Sequence, residues 1–212
     1  MPYRTVRILI LTVVACLILG GSAVLAQSKT AKQAESLSKA ADDAKKQVRG
    51  VVEQLGKMLT GYNSIIDGSA KNAQSAYKKL AGDLKSTEKM LQGAQKSLQA
   101  MNKEADKFFA DWEKDLGEFT NEDLKQKSMA RLETSKSKYA ALGESLGQAG
   151  DAFGPLVQNL NDQILFLGRD LSPEAIQDLQ GEAEALNQQA TEVTEEVKTL
   201  IASADAKPVE AD

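Results

Sequence analysis

Paired carboxylates are the groups in this sequence whose type and spacing come closest to acid–base or metal chemistry. They occur at Asp42/Asp43, Glu122/Asp123 and Glu195/Glu196. Neighbouring residues of a helix point about 100° apart, so the carboxylates of one pair cannot converge on one metal ion or one scissile bond. We therefore interpret these pairs as solvated surface charge.

Histidine is absent from the chain, and cysteine occurs once, at Cys16. These counts exclude Ser-His-Asp and Cys-His catalysis, imidazole metal sites, Glu-x-x-His di-metal bundles and an internal disulfide. The sequence also has no G-x-x-x-x-G-K-[ST] phosphate loop and no D-x-[DN]-x-[DN]-G calcium loop. We expect no catalytic, cofactor-binding or metal-binding residue, and we predict that the protein is not an enzyme.

The composition favours a helical protein that does not bind nucleic acid. The 26 Lys and Arg residues stand against 30 Asp and Glu residues, giving a net charge of -4. Nucleic-acid phosphates require a cationic surface, so they are not an expected partner. Aromatic residues make up only 5% of the chain, and the abundance of Ala, Leu, Gln, Lys and Glu is typical of long helices and coiled coils.

The first 26 residues have the three-part layout of a secretory signal peptide. A short basic segment, residues 1–7, precedes the apolar run Ile8–Leu19, and small residues then lead to a predicted cleavage site after Ala26. Two alternatives stay open. Residues 8–26 are long enough to remain as a membrane anchor, and Val13–Cys16 resembles a lipobox that would place a lipid on Cys16. All three place the remaining chain outside the cytoplasm.

Apolar residues downstream recur in alternating steps of three and four, the heptad pattern of helices that bury a narrow stripe. The pattern predicts four helices, at about 27–62, 70–118, 124–167 and 173–203. Asp67-Gly68-Ser69, Asn121 and Ser172-Pro173 mark the breaks between them. Short connections favour antiparallel neighbours, so we predict an all-α, elongated up-down-up-down bundle over residues 27–203. A disordered acidic tail, residues 204–212, is expected to follow.

Pro155 and four glycines interrupt the pattern of the third predicted helix. We expect Pro155 to kink or locally break this helix. Gly143, Gly147, Gly150 and Gly154 lie on neighbouring turns. They could loosen this half of the helix, but the preferred interpretation is that they let another helix approach closely.

Helix lengths predict that the end of the bundle containing residues 107–132 projects. At 1.5 Å per residue, the second and third helices reach about 70 Å, the first about 55 Å and the fourth about 45 Å. Phe108, Trp112 and Phe119 lie in the projecting part and are candidate contacts for a partner or a second copy of the chain. The alternatives are an ordinary helical core, or a first helix that bends to cover these residues.

Net charge differs between segments of the chain. Residues 71–99 carry a net charge of +4, and residues 170–212 carry -9. Both segments begin at the same end of the predicted bundle, so we expect opposite charges to lie side by side. The lysines could instead suit a polyanion or an anionic lipid surface, although an ordinary charged outer face is the simpler interpretation.

Three stretches carry a resemblance to a known family. They are Phe108–Leu116 (FFADWEKDL), Asp162–Leu167 (DQILFL) and Ala175–Glu182 (AIQDLQGE). With them the chain resembles an uncharacterised bacterial family known only as a domain of unknown function, two-nine-five-nine, over roughly residues 73–204. The resemblance implies an exported or lipid-anchored coiled-coil bundle and carries over no catalytic residue.

These observations together predict a non-enzymatic exported protein of the bacterial cell envelope. The expected role is structural or protein-interaction, with a protein partner or self-association, and with membrane contact only through the N-terminal segment if that segment is retained or lipidated. The alternative is a periplasmic holdase-like protein that binds clients or an apolar ligand. A holdase should expose apolar surface when folded, whereas a scaffold should hide its apolar seam.

Overall fold

The computed structural model describes the backbone of residues 23–205 and the side chains of residues 29–202. The described elements are α1 (Ala23–Ile66), α2 (Ala73–Asp115), a 3-10 turn (Leu116–Glu118), α3 (Glu122–Arg169), α4 (Pro173–Asp178) and α5 (Gln180–Asp205). The predicted all-α fold is confirmed. The predicted lipidation residue Cys16 lies outside the described residues, and the predicted cleavage residue Ala26 lies in the first turns of α1.

Local sequence explains where α2, α3 and α4 begin. The side chains of Asn72, Asn121 and Ser172 accept hydrogen bonds from the backbone N–H of Ser75, Leu124 and Ala175 at 2.7, 3.1 and 3.2 Å, respectively. Each bond satisfies an N–H that has no partner within its helix. After α1 ends, Gly68 adopts a φ of 72°, a left-handed conformation that glycine reaches without strain.

Every residue that the heptad pattern assigns to the buried stripe of α1 is buried. Its predicted members are all at most 5% exposed: Leu37, Ala41, Ala44, Val48, Val51, Leu55, Met58 and Tyr62. The stripe of α2 is covered less evenly, because Leu91 and Leu98 are only half-buried. Both lie where α2 faces the glycines of α3, which offer no side chain to cover them.

In cross-section, the helices of the bundle occupy four corners. The first corner is α1, the second α2, the third α3, and the fourth is shared by α4 and α5. Contacts join α2 to α1 and α3, and join α5 to α3 and α1. The expectation that the basic part of α2 lies beside the acidic C-terminal helix is therefore wrong, because α2 and α5 occupy opposite corners. Among described side chains no ion pair joins them, and Lys79 pairs with Asp83 within α2 instead.

Two local expectations need correction. The helix α3 is continuous through Pro155, so the expected local break is absent. Pro155 lies on the exposed side of α3, whereas Phe153 and Leu156 are fully buried. The predicted fourth helix is two helices, since Leu179 adopts φ -88° and ψ -5° and its N–H bonds to the Ile176 carbonyl at 3.2 Å in a tighter turn.

A polar network crosses the core between α1, α3 and α5. The Tyr62 hydroxyl donates a hydrogen bond to Oε1 of Gln163. The amide Nε2 of Gln163 donates to Asn159 Oδ1 at 3.0 Å and to the Glu182 carbonyl at 3.4 Å. Asn63 and Asn187 exchange two hydrogen bonds of 2.9 Å beside it. Burial, followed by the charge of Glu182, raises the pKa of Tyr62, so the phenol is neutral at physiological pH.

Candidate functional site at the tip

The tip, residues 107–132, is built from the end of α2, the connection to α3 and the start of α3. The Asn159–Gln189 and Gln163–Glu182 contacts set the register of α5 against α3. The two helices are antiparallel and have the same rise per residue. This register therefore places the end of α5 opposite the middle of α3. Of the helices that the structure describes, α1, α2 and α3 therefore extend to the tip and α5 does not.

The first helix covers one side of the tip. It begins at Ala23, earlier than the heptad pattern predicts, and lies beside the end of α2. Gln33 Nε2 donates to Asp111 Oδ2 at 2.6 Å, and Lys29 Nζ lies 3.0 Å from the same oxygen. The hydrogen bond from Gln33, together with Lys29, holds the pKa of Asp111 below its ordinary value. The predicted projection of α2 and α3 is therefore correct relative to α5 and wrong relative to α1, which reaches the tip beside α2.

The three candidate aromatic residues of the tip, Phe108, Trp112 and Phe119, are half-buried. The Phe108 ring meets the Trp112 ring edge to face, with centroids 5.6 Å apart. Trp112 Nε1 donates to Ser128 Oγ on α3 at 2.9 Å, which fixes one edge of the indole. Contacts thus define the positions of Phe108 and Trp112 while part of their surface faces solvent, as a preformed contact surface requires.

Other apolar residues of the tip divide between core and surface. Phe109, Leu116 and Leu132 are buried, whereas Leu124 and Met129 are 42% and 40% exposed. The latter two lie on the first turns of α3, where none of the described residues forms a fourth helix that covers them. They extend the candidate surface that Phe108, Trp112 and Phe119 form.

Acidification is expected to break the bonds that join Gln33 and Lys29 of α1 to Asp111 at the tip. Because the pKa of Asp111 is lowered in the bundle, its bonds to Gln33 and Lys29 stabilise the fold above the ordinary aspartate pKa. This contribution is lost as the pH falls through the lowered value. The NMR resonance of the Gln33 side-chain amide should report this transition. Asp111→Asn should remove it, and Asp115→Asn, an exposed carboxylate one turn further on, should leave it unchanged.

A groove of about 300 Å³ lies between α2 and α3, away from the tip. Ala44 and Val48 of α1 contribute to its lining, and Leu98, Gly147 and Gly150 line its walls. Of the glycines predicted to allow close helix approach, Gly143 does so, since an added Cβ would lie 3.2 Å from Asn102 Oδ1. At Gly150 and Gly154 an added Cβ would have no atom within 4 Å.

The groups that could carry chemistry remain dispersed in the described part of the chain. Its side chains include no group of three or more acidic, cysteine or histidine residues placed to hold a metal ion. The paired carboxylates are exposed, and two of their members, Asp42 and Glu195, pair with Lys45 and Lys198 three residues away. Within residues 23–205, no helix has the length and apolar character needed to cross a bilayer.

Comparison with known proteins identifies the family. Residues 27–207 match the family described as "Protein of unknown function (DUF2959)". The chain belongs to this family. The resemblance seen in the sequence motifs is thereby confirmed, and the DUF2959 match reaches further towards the N-terminus than those motifs, through most of α1. No curated protein and no solved structure matches the chain.

Proposed function

We propose that this DUF2959 protein is a non-enzymatic, exported helical module of the bacterial cell envelope that binds a protein partner at its tip. The observation that carries the proposal is the tip itself. Half-buried aromatics lie in the same tip as exposed Leu124 and Met129, at an end where three of the described helices meet. Aromatic side chains with fixed positions are the residues that dominate protein–protein interfaces.

Export is supported by where the family match begins. The match starts at residue 27, directly after the predicted cleavage residue Ala26. A family whose shared part starts there fits a mature protein that follows a removable leader. The proposed location is the periplasm or cell envelope. Retention of the N-terminal segment as an anchor that faces the periplasm is the alternative.

The test is partner capture from cells that express the chain with its native N-terminal segment. Trp112→Ala combined with Phe119→Ala is expected to remove cross-linked partners from the envelope fraction, because large rigid contacts at the interface centre are lost. The circular dichroism of the variant should remain helical. Phe166→Ala, which removes an aromatic residue that is 42% exposed at the opposite end of the bundle, should leave capture unchanged.

The same preparation tests each part of the proposal separately. Wild-type protein found in the cytoplasm with Met1 retained would contradict export. Capture that survives the double substitution would contradict the role of the tip. A double variant that unfolds, together with Trp112 fluorescence typical of a dry core in the wild type, would make the tip structural only.

A further inference from the structure

Seven lysines form one stripe along α2. They are Lys78, Lys85, Lys89, Lys96, Lys103, Lys107 and Lys114. Their intervals of 7, 4, 7, 7, 4 and 7 residues return to the same side of the helix every 18 residues, about five turns. Lys96 lies nine residues from both Thr87 and Ala105, which are buried, so the stripe points away from the core. All seven lysines are exposed, and none forms an ion pair with another described side chain.

An acidic stripe follows the outer side of α3. It consists of Glu122, Glu133, Glu144, Asp151 and Asp162, all exposed. Asp151 lies nine residues from Leu142 and from Leu160, both buried, so this stripe also points away from the core. Leu165, one turn beyond Asp162, is 59% exposed, the highest value among the large apolar side chains that the structure describes.

Part of the lysine stripe, read forwards along α2, has the same residue spacing as part of the acidic stripe read backwards along α3. Intervals of 11, 7 and 11 residues separate Lys85, Lys96, Lys103 and Lys114. The same intervals, counted from the C-terminal end of α3, separate Asp162, Asp151, Glu144 and Glu133. Because α2 and α3 are antiparallel, each lysine lies at nearly the same height along the bundle as one acid.

The heights are fixed by contacts within one chain. Gly147 lies against Leu98, and Gly168 lies against Tyr77. This register places each of the four lysines within about two residues, or about 3 Å, of the height of its matching acid. The two stripes nevertheless point outward from different corners of the bundle, so these charges cannot pair within the chain.

We propose that the face formed by α2 and α3 binds a second copy of this chain, in a two-fold dimer whose axis runs parallel to the helices. That symmetry places α2 of one copy against α3 of the other and leaves every height unchanged. Four lysine–carboxylate pairs then form on each side of the axis: Lys85 with Asp162, Lys96 with Asp151, Lys103 with Glu144, and Lys114 with Glu133. Lys78 opposite Arg169 is the one like-charged pair in the series.

The groove between α2 and α3 lies on the same face, between the two stripes. Asp151 is part of both the groove wall and the acidic stripe. Gly150 and Gly154 leave open space that none of the described helices fills. Small residues at this position allow a second copy to approach closely, and its approach would remove the half-buried Leu91 and Leu98 from water.

Sedimentation velocity of the full chain tests the dimer. At about 100 μM the chain should sediment as a dimer in about 50 mM salt and dissociate progressively towards about 500 mM. Lys96→Glu with Lys103→Glu should weaken the dimer by at least about tenfold, because four attractive pairs become repulsive. Glu144→Lys with Asp151→Lys should do the same. An equimolar mixture of these two variants should recover a dimer, because every altered pair is again opposite in sign.

A matched control lies in the same lysine stripe. Lys89→Glu with Lys107→Glu changes the net charge by the same amount, but these lysines face Gln158 and Ala140. This variant should change the dissociation constant by less than about threefold. A wild-type chain that stays monomeric, a mixture that fails to recover the dimer, or a control that weakens it equally would each overturn the proposal. Circular dichroism verifies that each variant is folded.

Discussion

Phe153→Ala is expected to lower the free energy of unfolding by about 3 to 5 kcal/mol, the largest effect of any single substitution considered. Phe153 is fully buried in the middle of α3, at a height where all four corners of the bundle are occupied. Truncation removes a large apolar surface from the core and leaves a cavity that long helices, packed on both sides, cannot close by a small shift. Urea denaturation followed by circular dichroism measures the change.

Phe166→Ala provides the matched control on the same helix. Phe166 is 42% exposed, so the same chemical change should cost no more than about 1 kcal/mol. Equal losses of stability for the two substitutions would show that α3 does not bury the face that contains Phe153.

Gln163→Leu is expected to cost about 2 to 3 kcal/mol, because it removes the acceptor of the Tyr62 hydroxyl and leaves that hydroxyl buried without a partner. Tyr62→Phe should also destabilise the bundle, by leaving the side-chain oxygen of Gln163 without its donor. The double variant should lose at least about 1 kcal/mol less than the sum of the single losses, since neither polar group is then stranded. Denaturation of all four proteins measures this coupling.

Gln158→Leu tests whether any loss comes from helix propensity instead. Gln158 is exposed on α3, and its side chain bonds to Asp162, one turn away. Its replacement should change stability by no more than about 0.5 kcal/mol. Strict additivity of Tyr62→Phe and Gln163→Leu would mean that the two side chains do not interact in solution.

Periodicity predicted most of the fold because the bundle uses one physical rule throughout. A narrow apolar stripe with steps of three and four forces a helix to bury one side, and the whole predicted stripe of α1 is buried. The breaks were predictable for local reasons, since Asn121 and Ser172 cap helices through their own side chains. Family membership followed from three short motifs that the match over residues 27–207 includes.

Neighbour relations between helices could not be predicted in the same way. A heptad pattern predicts which side of a helix is buried, but it does not predict which other helix packs against that side. The position of α5 diagonal to α2 therefore contradicted the expected charge pairing. The tip candidates Phe108, Trp112 and Phe119 were indicated by residue type, whereas the coverage of one side by α1 depends on contacts of Lys29 and Gln33 far away in sequence.

Gln163 was missed as a core residue because polar residues are ordinarily assigned to the surface. The signal available was its position between Leu160, Ile164 and Leu167, which places an uncharged amide on the apolar side of α3. It also lies within one of the three motifs that carried the family resemblance. A buried amide with all its hydrogen bonds satisfied disfavours alternative alignments of the helices, since any shift by one turn would strand it.

The fourth corner of the bundle, formed by α4 and α5, is shorter than the other three. The two ends of the bundle therefore differ in how cooperatively their helices unfold. Where α5 is present, each helix has two neighbours in cross-section, and opening any one of them exposes the core of all four. Beyond the end of α5, three helices share fewer buried contacts, so local opening there costs less than global unfolding. The tip can therefore fray and close again while the other end keeps the helices in register. A partner that binds the tip would suppress this motion without any change in the average structure.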